Sequence, residues 1–240
     1  MSPMASSRPP SGRWVPVALL ALAAIPVVIG SLRVVQLLGG PADIEPDARF
    51  DNAPGAVVVH VVASILYAVL GALQFSARTR RRHPAWHRRA GKVLVALGLV
   101  VAGSALWLTL LYDRREGTGT LLHSVRLLVG AGMGACVLLG LKAIRRRDIA
   151  AHAAWMTRAY ALALGAGTQP FTVGFGEAVF GAGVVRTDLM MTAGWGLNLA
   201  VAERLIRRRQ RAQVPRQRRP AEAPVSRSTR PSSTVTGGDG

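Results

Sequence analysis

Imidazole is the side chain in this sequence best suited to metal and redox chemistry, and five occur: His60, His83, His87, His123 and His152. Stepping from each along a helix at i+4, i+7 and i+11 gives the residues that share its face. His60 leads Ser64, Tyr67 and Gly71, and His87 leads Gly91, Leu94 and Gly98. His123 leads Leu127, Gly130 and Gly134, and His152 leads Met156, Ala159 and Ala163. Faces rich in small residues let another helix, or a flat macrocycle standing between helices, approach the backbone closely. Imidazole is a normal axial ligand of haem iron, so one or two haem b groups are the cofactors these four histidines could hold. Each also has a bland reading, as an interfacial side chain at a helix end on an ordinary packing face. His83, four residues before His87 among arginines, reads as solvated. No nucleophile-and-base arrangement and no HExxH spacing occurs, which argues against hydrolysis.

Long helices must position these residues, and composition says in which solvent. Half of the 240 residues are apolar and 18% are charged, with the charges confined to short blocks. The stretches between them reach about 20 residues, enough to cross roughly 30 Å of hydrocarbon. The expected fold is therefore an all-α polytopic membrane bundle of six spans, at 14–38, 55–77, 91–112, 121–144, 149–174 and 189–206. Residues 1–13 are expected as a cytoplasmic segment, 14–206 as the transmembrane domain and 207–240 as a disordered basic cytoplasmic tail, since the tail has few large apolar residues with which to fold. Arg8 and Arg13 precede the first apolar stretch, but its length and the lack of a small-residue cleavage site make it a span rather than a signal peptide.

Charge sets the orientation. Arg8 and Arg13, the blocks 78–92 and 142–147, and the residues from Arg204 onward all fall on one side, against only Arg49, Arg114, Arg115 and Arg186 on the other. The positive-inside rule puts the first set, and both termini, in the cytoplasm, and the net charge of +18 reads as topology signals and contacts to anionic lipid of the inner leaflet rather than a nucleic-acid surface. A cell inner or plasma membrane is the implied location. The histidines then fall into two pairs, His60 with His123 at the outer side and His87 with His152 at the inner. The first outer loop holds Asp43, Glu45, Asp47 and Asp51, either a cation-gathering or a merely solvated loop. The lone Cys136 excludes a disulfide framework and reads as a small buried hydrophobe. Gly130 and Gly134 have no strand before them and read as a GxxxG packing surface rather than a phosphate loop.

Arg158 lies about two turns inside the fifth span, where it must pair, snorkel or hold an anion such as a haem propionate. Arg126, a turn below the outer edge of the fourth span, has the same readings. Glu203 and Arg207 are spaced as an i,i+4 ion pair. Trp86 and Trp155 suit the interfacial belt.

The segments HPAWHRRAGK at 83–92 and AHAAWMTRAYAL at 151–162 resemble the paired signatures of a bacterial multi-pass membrane family known only as a domain of unknown function. That resemblance covers roughly residues 55–174 and implies no activity. The placement of histidines on helices is similar to that of the six-helix di-haem cytochromes b, ascorbate-dependent transmembrane reductases in which the second and fourth helices share one haem and the third and fifth the other. By that resemblance His60 with His123, and His87 with His152, would each ligate a haem. The expected function is transmembrane electron transfer by a b-type haem protein, fed by a small-molecule or protein reductant docked on block 78–92. The competing expectation is a small transporter or accessory subunit, to which Gly165, Gly167 and Pro170 in the fifth span lend support.

Overall fold

The structure is a computed structural model that describes residues 14–42, 44–50 and 53–217. The expectations placed on 1–13, Asp43, Asp51 and 218–240 lie outside the described residues. Among those described, every regular element is helical: α1 Trp14–Leu37, α2 Pro54–Gln74, α3 Ala77–Arg82, α4 Pro84–Leu111, α5 Thr120–Arg145, α6 Ile149–Ala163, α7 Gly165–Phe180 and α8 Val184–Gln217, with a 3-10 turn at Ala48–Phe50.

Local chemistry places the helix ends. Pro54 and Pro84 start α2 and α4, where a missing N–H costs nothing and φ is already helical. Ser76 caps α3 by accepting from the Thr79 N–H at 3.2 Å, and Asp148 caps α6 by accepting from the Ala151 N–H at 2.9 Å. Gly181 ends α7 at φ 75°, a left-handed conformation that a side chain would strain.

α1, α2, α4 and α5 are each long and apolar enough to cross a bilayer, with mean hydropathies of 2.4, 2.4, 2.3 and 2.0. Their outward surfaces are apolar: Leu128 is 72% exposed and Phe175 on α7 is 65% exposed, which suits lipid and not water. The expected fifth span is not one continuous helix. It divides at Leu164 into α6 and α7, and the start of α7 packs closely on its neighbours: a Cβ at Gly165 would fall 2.0 Å from Trp195 Nε1, and one at Gly167 2.4 Å from the Leu22 carbonyl oxygen. Pro26 leaves that Leu22 carbonyl without its usual i+4 donor, so a glycine is what can approach it. The two pieces still run in one direction, since α8 lies antiparallel along both: Glu203 meets Arg158, Trp195 meets Leu162, and Met190 meets Gly176.

The successive pairs among α2, α4, α5 and α6 are antiparallel too. His60 meets Ser104 and Gln74 meets His87 between α2 and α4, Gly130 meets Leu106 between α4 and α5, and Gly140 meets Met156 between α5 and α6. One end of the bundle thus gathers the arginine-rich segments, α3 and the start of α4 with the ends of α5 and α8. The other gathers the segments 38–42 and 44–50 with the loops 112–119 and 181–183. The shared core holds Tyr67, Met133, Cys136, Val137 and Tyr160, with Gly71 giving way to the Tyr160 ring and the Tyr160 hydroxyl donating to the Ala68 carbonyl at 2.7 Å. The last helix departs from expectation at both ends: it starts at Val184 and continues past residue 206 to Gln217, eleven residues into the stretch expected as tail.

Candidate functional site

A cavity of about 480 Å³ opens in the half of the bundle away from the arginine-rich end. α1, α2, α4 and α5 wall it, and the α6–α7 break from Leu162 to Gly167 and the Trp195 indole reach it from the far side. Trp195 donates to the Leu162 carbonyl at 3.1 Å, so the indole that contacts the cavity also satisfies an acceptor at the helix break. Most of the wall is apolar. The polar groups are few: the His60 imidazole, Ser64 and Thr109, the Tyr112 phenol, and the arginines Arg49, Arg115 and Arg126.

His60 is held in one tautomer. Its Nδ1 lies 2.9 Å from Ser104 Oγ, and that hydroxyl spends its own hydrogen on the Val100 carbonyl at 2.6 Å. With the serine hydrogen so used, Nδ1 must be the donor, and the lone pair of the neutral ring sits on Nε2. A ring nitrogen presented this way, with its partner nitrogen tied to an acceptor, is how proteins orient a metal-ligating histidine. Sequence reasoning had no way to find Ser104, which lies 44 residues away and meets His60 only because α2 and α4 are antiparallel.

His152 shows the same device at the other end. Its Nδ1 lies 2.9 Å from the Gly140 carbonyl, which can only accept, so its Nε2 again carries the lone pair. His87 stands near enough to His152 for their charges to interact, and the His87 carbonyl accepts from Gln74 Nε2 at 3.2 Å. His87 and His152 therefore share one neighbourhood at the arginine-rich end. His60 and His123, expected as the other pair, do not share a wall: His60 lines the cavity, whereas His123 is outside its lining, about one turn from Arg126 on α5. His83 is exposed between α3 and α4.

Arg158 is away from the cavity lining and is engaged elsewhere. Its Nε and Nη2 donate to the two carboxylate oxygens of Glu203 at 2.5 and 3.1 Å, and its guanidinium lies 4.7 Å over the Trp155 ring. Glu203 was expected to pair with Arg207 along its own helix. It pairs instead across helices, because α8 turns the Glu203 face toward α6 and a forked guanidinium can meet both oxygens there.

At the cavity mouth, Arg49 Nε donates to Asp47 Oδ1 at 2.8 Å, its Nη2 reaches Asp47 Oδ2 at 2.5 Å, and its guanidinium lies over the Phe50 ring. The hydrogen bond from Arg49 holds the Asp47 carboxyl below its ordinary value of 3.8. Asp47 is thus committed to an arginine, and Glu45 offers its backbone carbonyl to Arg33 at 3.0 Å, which favours the bland reading of this loop over the cation-gathering one. Arg126 has no hydrogen-bond or ion-pair partner among the described residues.

Asp188, unnoticed in the sequence, is the most buried charged side chain among the described residues, 2% exposed. Its oxygens accept from the Gly119 N–H at 2.9 and 3.1 Å and from the Leu122 N–H at 3.0 Å, so α8 caps the N-terminus of α5. The available signal was an acidic residue heading an apolar stretch.

A family model described as "Predicted membrane protein (DUF2306)" matches residues 57–206, taking in all the helices around the cavity except α1. Neither the curated proteins nor the solved structures hold a match to this chain.

Proposed function

We propose that this chain, which belongs to the DUF2306 family of membrane proteins, crosses a cell membrane six times with its arginine-rich end in the cytoplasm and carries a b-type haem in its outer cavity. The six passes count α6 and α7 as one interrupted crossing and α8 as the last, in keeping with the antiparallel run of α8 along both. Orientation rests on the positive-inside rule applied to the two ends of the bundle.

The observation that carries the haem reading is the His60–Ser104 contact in the wall of a cavity whose mouth bears three arginines. Haem supplies a one-electron iron couple whose potential is set by ligand, burial and hydrogen bonding. This chain's share would be to offer His60 Nε2 to the iron, to keep that ring from turning through Ser104, and to hold the group's carboxylates with Arg126 and Arg115. The apolar walls exclude water, which favours the less charged state of a bound centre. His123, expected as the ligand of the opposite face, lies outside the cavity lining, so His60 is the one ligand proposed for this site. His87 and His152 are proposed as a second, inner site, beside the basic block 78–92 where a reductant would dock.

Purified protein from haem-replete cells, recorded oxidised and dithionite-reduced, should show a Soret band and a sharpened α band. His60→Ala should lose the outer site's absorbance and His87→Ala the inner. Absence of any Soret band ends this reading, and equal retention in both variants rejects the ligand assignment.

One observation favours a second reading. The α6–α7 break faces the same cavity, and interrupted helices at mid-membrane are where transporters form their sites. A haem-free protein that moves an anion across proteoliposomes would support it.

A further inference from the structure

The cavity mouth carries positive charge that the described residues do not neutralise. Arg126 lies inside the span of α5 without a hydrogen-bond or ion-pair partner among them. Asp188 is near enough to attract it, but the Asp188 oxygens already accept from the Gly119 and Leu122 N–H groups. Arg49 and Arg115 are both near enough to repel it. Three guanidiniums around one opening, only Arg49 of them ion-paired, make an electropositive collar. An uncompensated charge next to hydrocarbon is costly, so this collar gains from an anion in a way a solvated arginine cluster does not.

Beneath the collar the wall turns apolar, with Ile65, Leu108, Val129 and Met133. The cavity contacts α4 from Tyr112 down to Val101, roughly 16 Å of helix. An apolar slot of that length under an arginine collar fits a molecule with an apolar body and an acidic end.

We propose that the cavity binds an amphipathic carboxylate, its apolar body seated between α2, α4 and α5 and its carboxylate on Arg126, with Arg115 completing the contact. A guanidinium meets a carboxylate with two parallel N–H donors, so the interaction selects acid over ester. This rests on the cavity being a ligand site, though not on the ligand being haem. The same chemistry could come from a porphyrin dicarboxylic acid or from a long-chain acyl acid.

The test uses the full chain in a neutral detergent. Fluorescence titrations compare protoporphyrin IX with its dimethyl ester, and cis-parinaric acid with its methyl ester, in wild type, Arg126→Gln and Arg126→Lys. At least one acid should bind wild type about tenfold or more tighter than its ester, the worth of one charge-assisted contact. The preference should vanish in Arg126→Gln and survive in part in Arg126→Lys, which keeps charge but not the fork. The acid that shows the preference identifies the source. Protection of Cys136 from a thiol dye, unchanged in both variants, confirms that they fold. Equal binding of acid and ester, binding of neither, or a preference untouched by Arg126→Gln overturns the proposal. The two readings fail separately: a missing Soret band with acid preference intact removes only haem, and a Soret band without acid preference removes only the collar's role.

Discussion

Replacing Asp188 by alanine should loosen the end of the bundle away from the arginine-rich segments more than any other single carboxylate change. Its carboxylate is 2% exposed and accepts from two backbone N–H groups, Gly119 and Leu122, at the head of α5. Each hydrogen bond to a charged acceptor has a net worth of about 1.5 kcal/mol or more, and the alanine variant leaves two amides without their acceptor at the buried start of a helix. Losing a cap alone costs about 1 kcal/mol. The two views of one interaction bracket the loss at about 1 to 3 kcal/mol, and the higher figure applies if no water reaches the vacated site. At roughly 2 to 4 °C per kcal/mol for a chain of this size, the melting temperature should fall by about 2 to 12 °C. Cys136 provides the readout, since it is the single cysteine of the chain and is buried. A thiol-reactive fluorophore added during a thermal ramp in detergent reports its exposure directly. Asp188→Asn keeps one acceptor oxygen and should fall between wild type and alanine. Alanine replacement of the exposed Asp113 should change the melting point by little. An Asp188→Ala protein that melts with wild type would refute the view that α8 holds α5 through this carboxylate.

Two further outcomes follow from the packing. Gly71→Ala would place a Cβ 2.3 Å from Tyr160 Cε2, forcing the ring off its Ala68 hydrogen bond, and should cost about 1 to 3 kcal/mol in the same thermal assay. Arg158→Leu and Glu203→Leu should each destabilise more than the double variant, because each alone leaves a part-buried charge without its partner; a thermal double-mutant cycle showing simple additivity would mean that the pair is not coupled.

Four spans were legible to within a few residues, apart from the start of α4, because the requirement that sets them acts locally: a charge-free run of sufficient length. Even α4 differs only because Pro84 starts its helix several residues ahead of the apolar stretch. The fifth span was legible in composition but not in shape. Gly165, Gly167 and Pro170 were visible as irregular residues, yet the approach of Trp195 and the Leu22 carbonyl to the two glycines brings together distant parts of the chain. The histidines stood out by type, and their division between the two ends followed from alternating direction. Which of them line a cavity did not follow, since His60 and His123 occupy similar depths and differ in which neighbour each helix turns toward.

The sequence by itself determined a helical membrane protein and the segregation of arginine to one end, since transfer into hydrocarbon is decided residue by residue along the chain. Only the tertiary structure decided partners. Ser104 for His60, Gly140 for His152, Glu203 for Arg158 and the α5 amides for Asp188 are matches across helices, made by direction and rotation about each axis. Those two quantities are fixed by how small residues such as Gly71, Gly130 and Gly167 let particular helices close on one another, and no single segment contains that information.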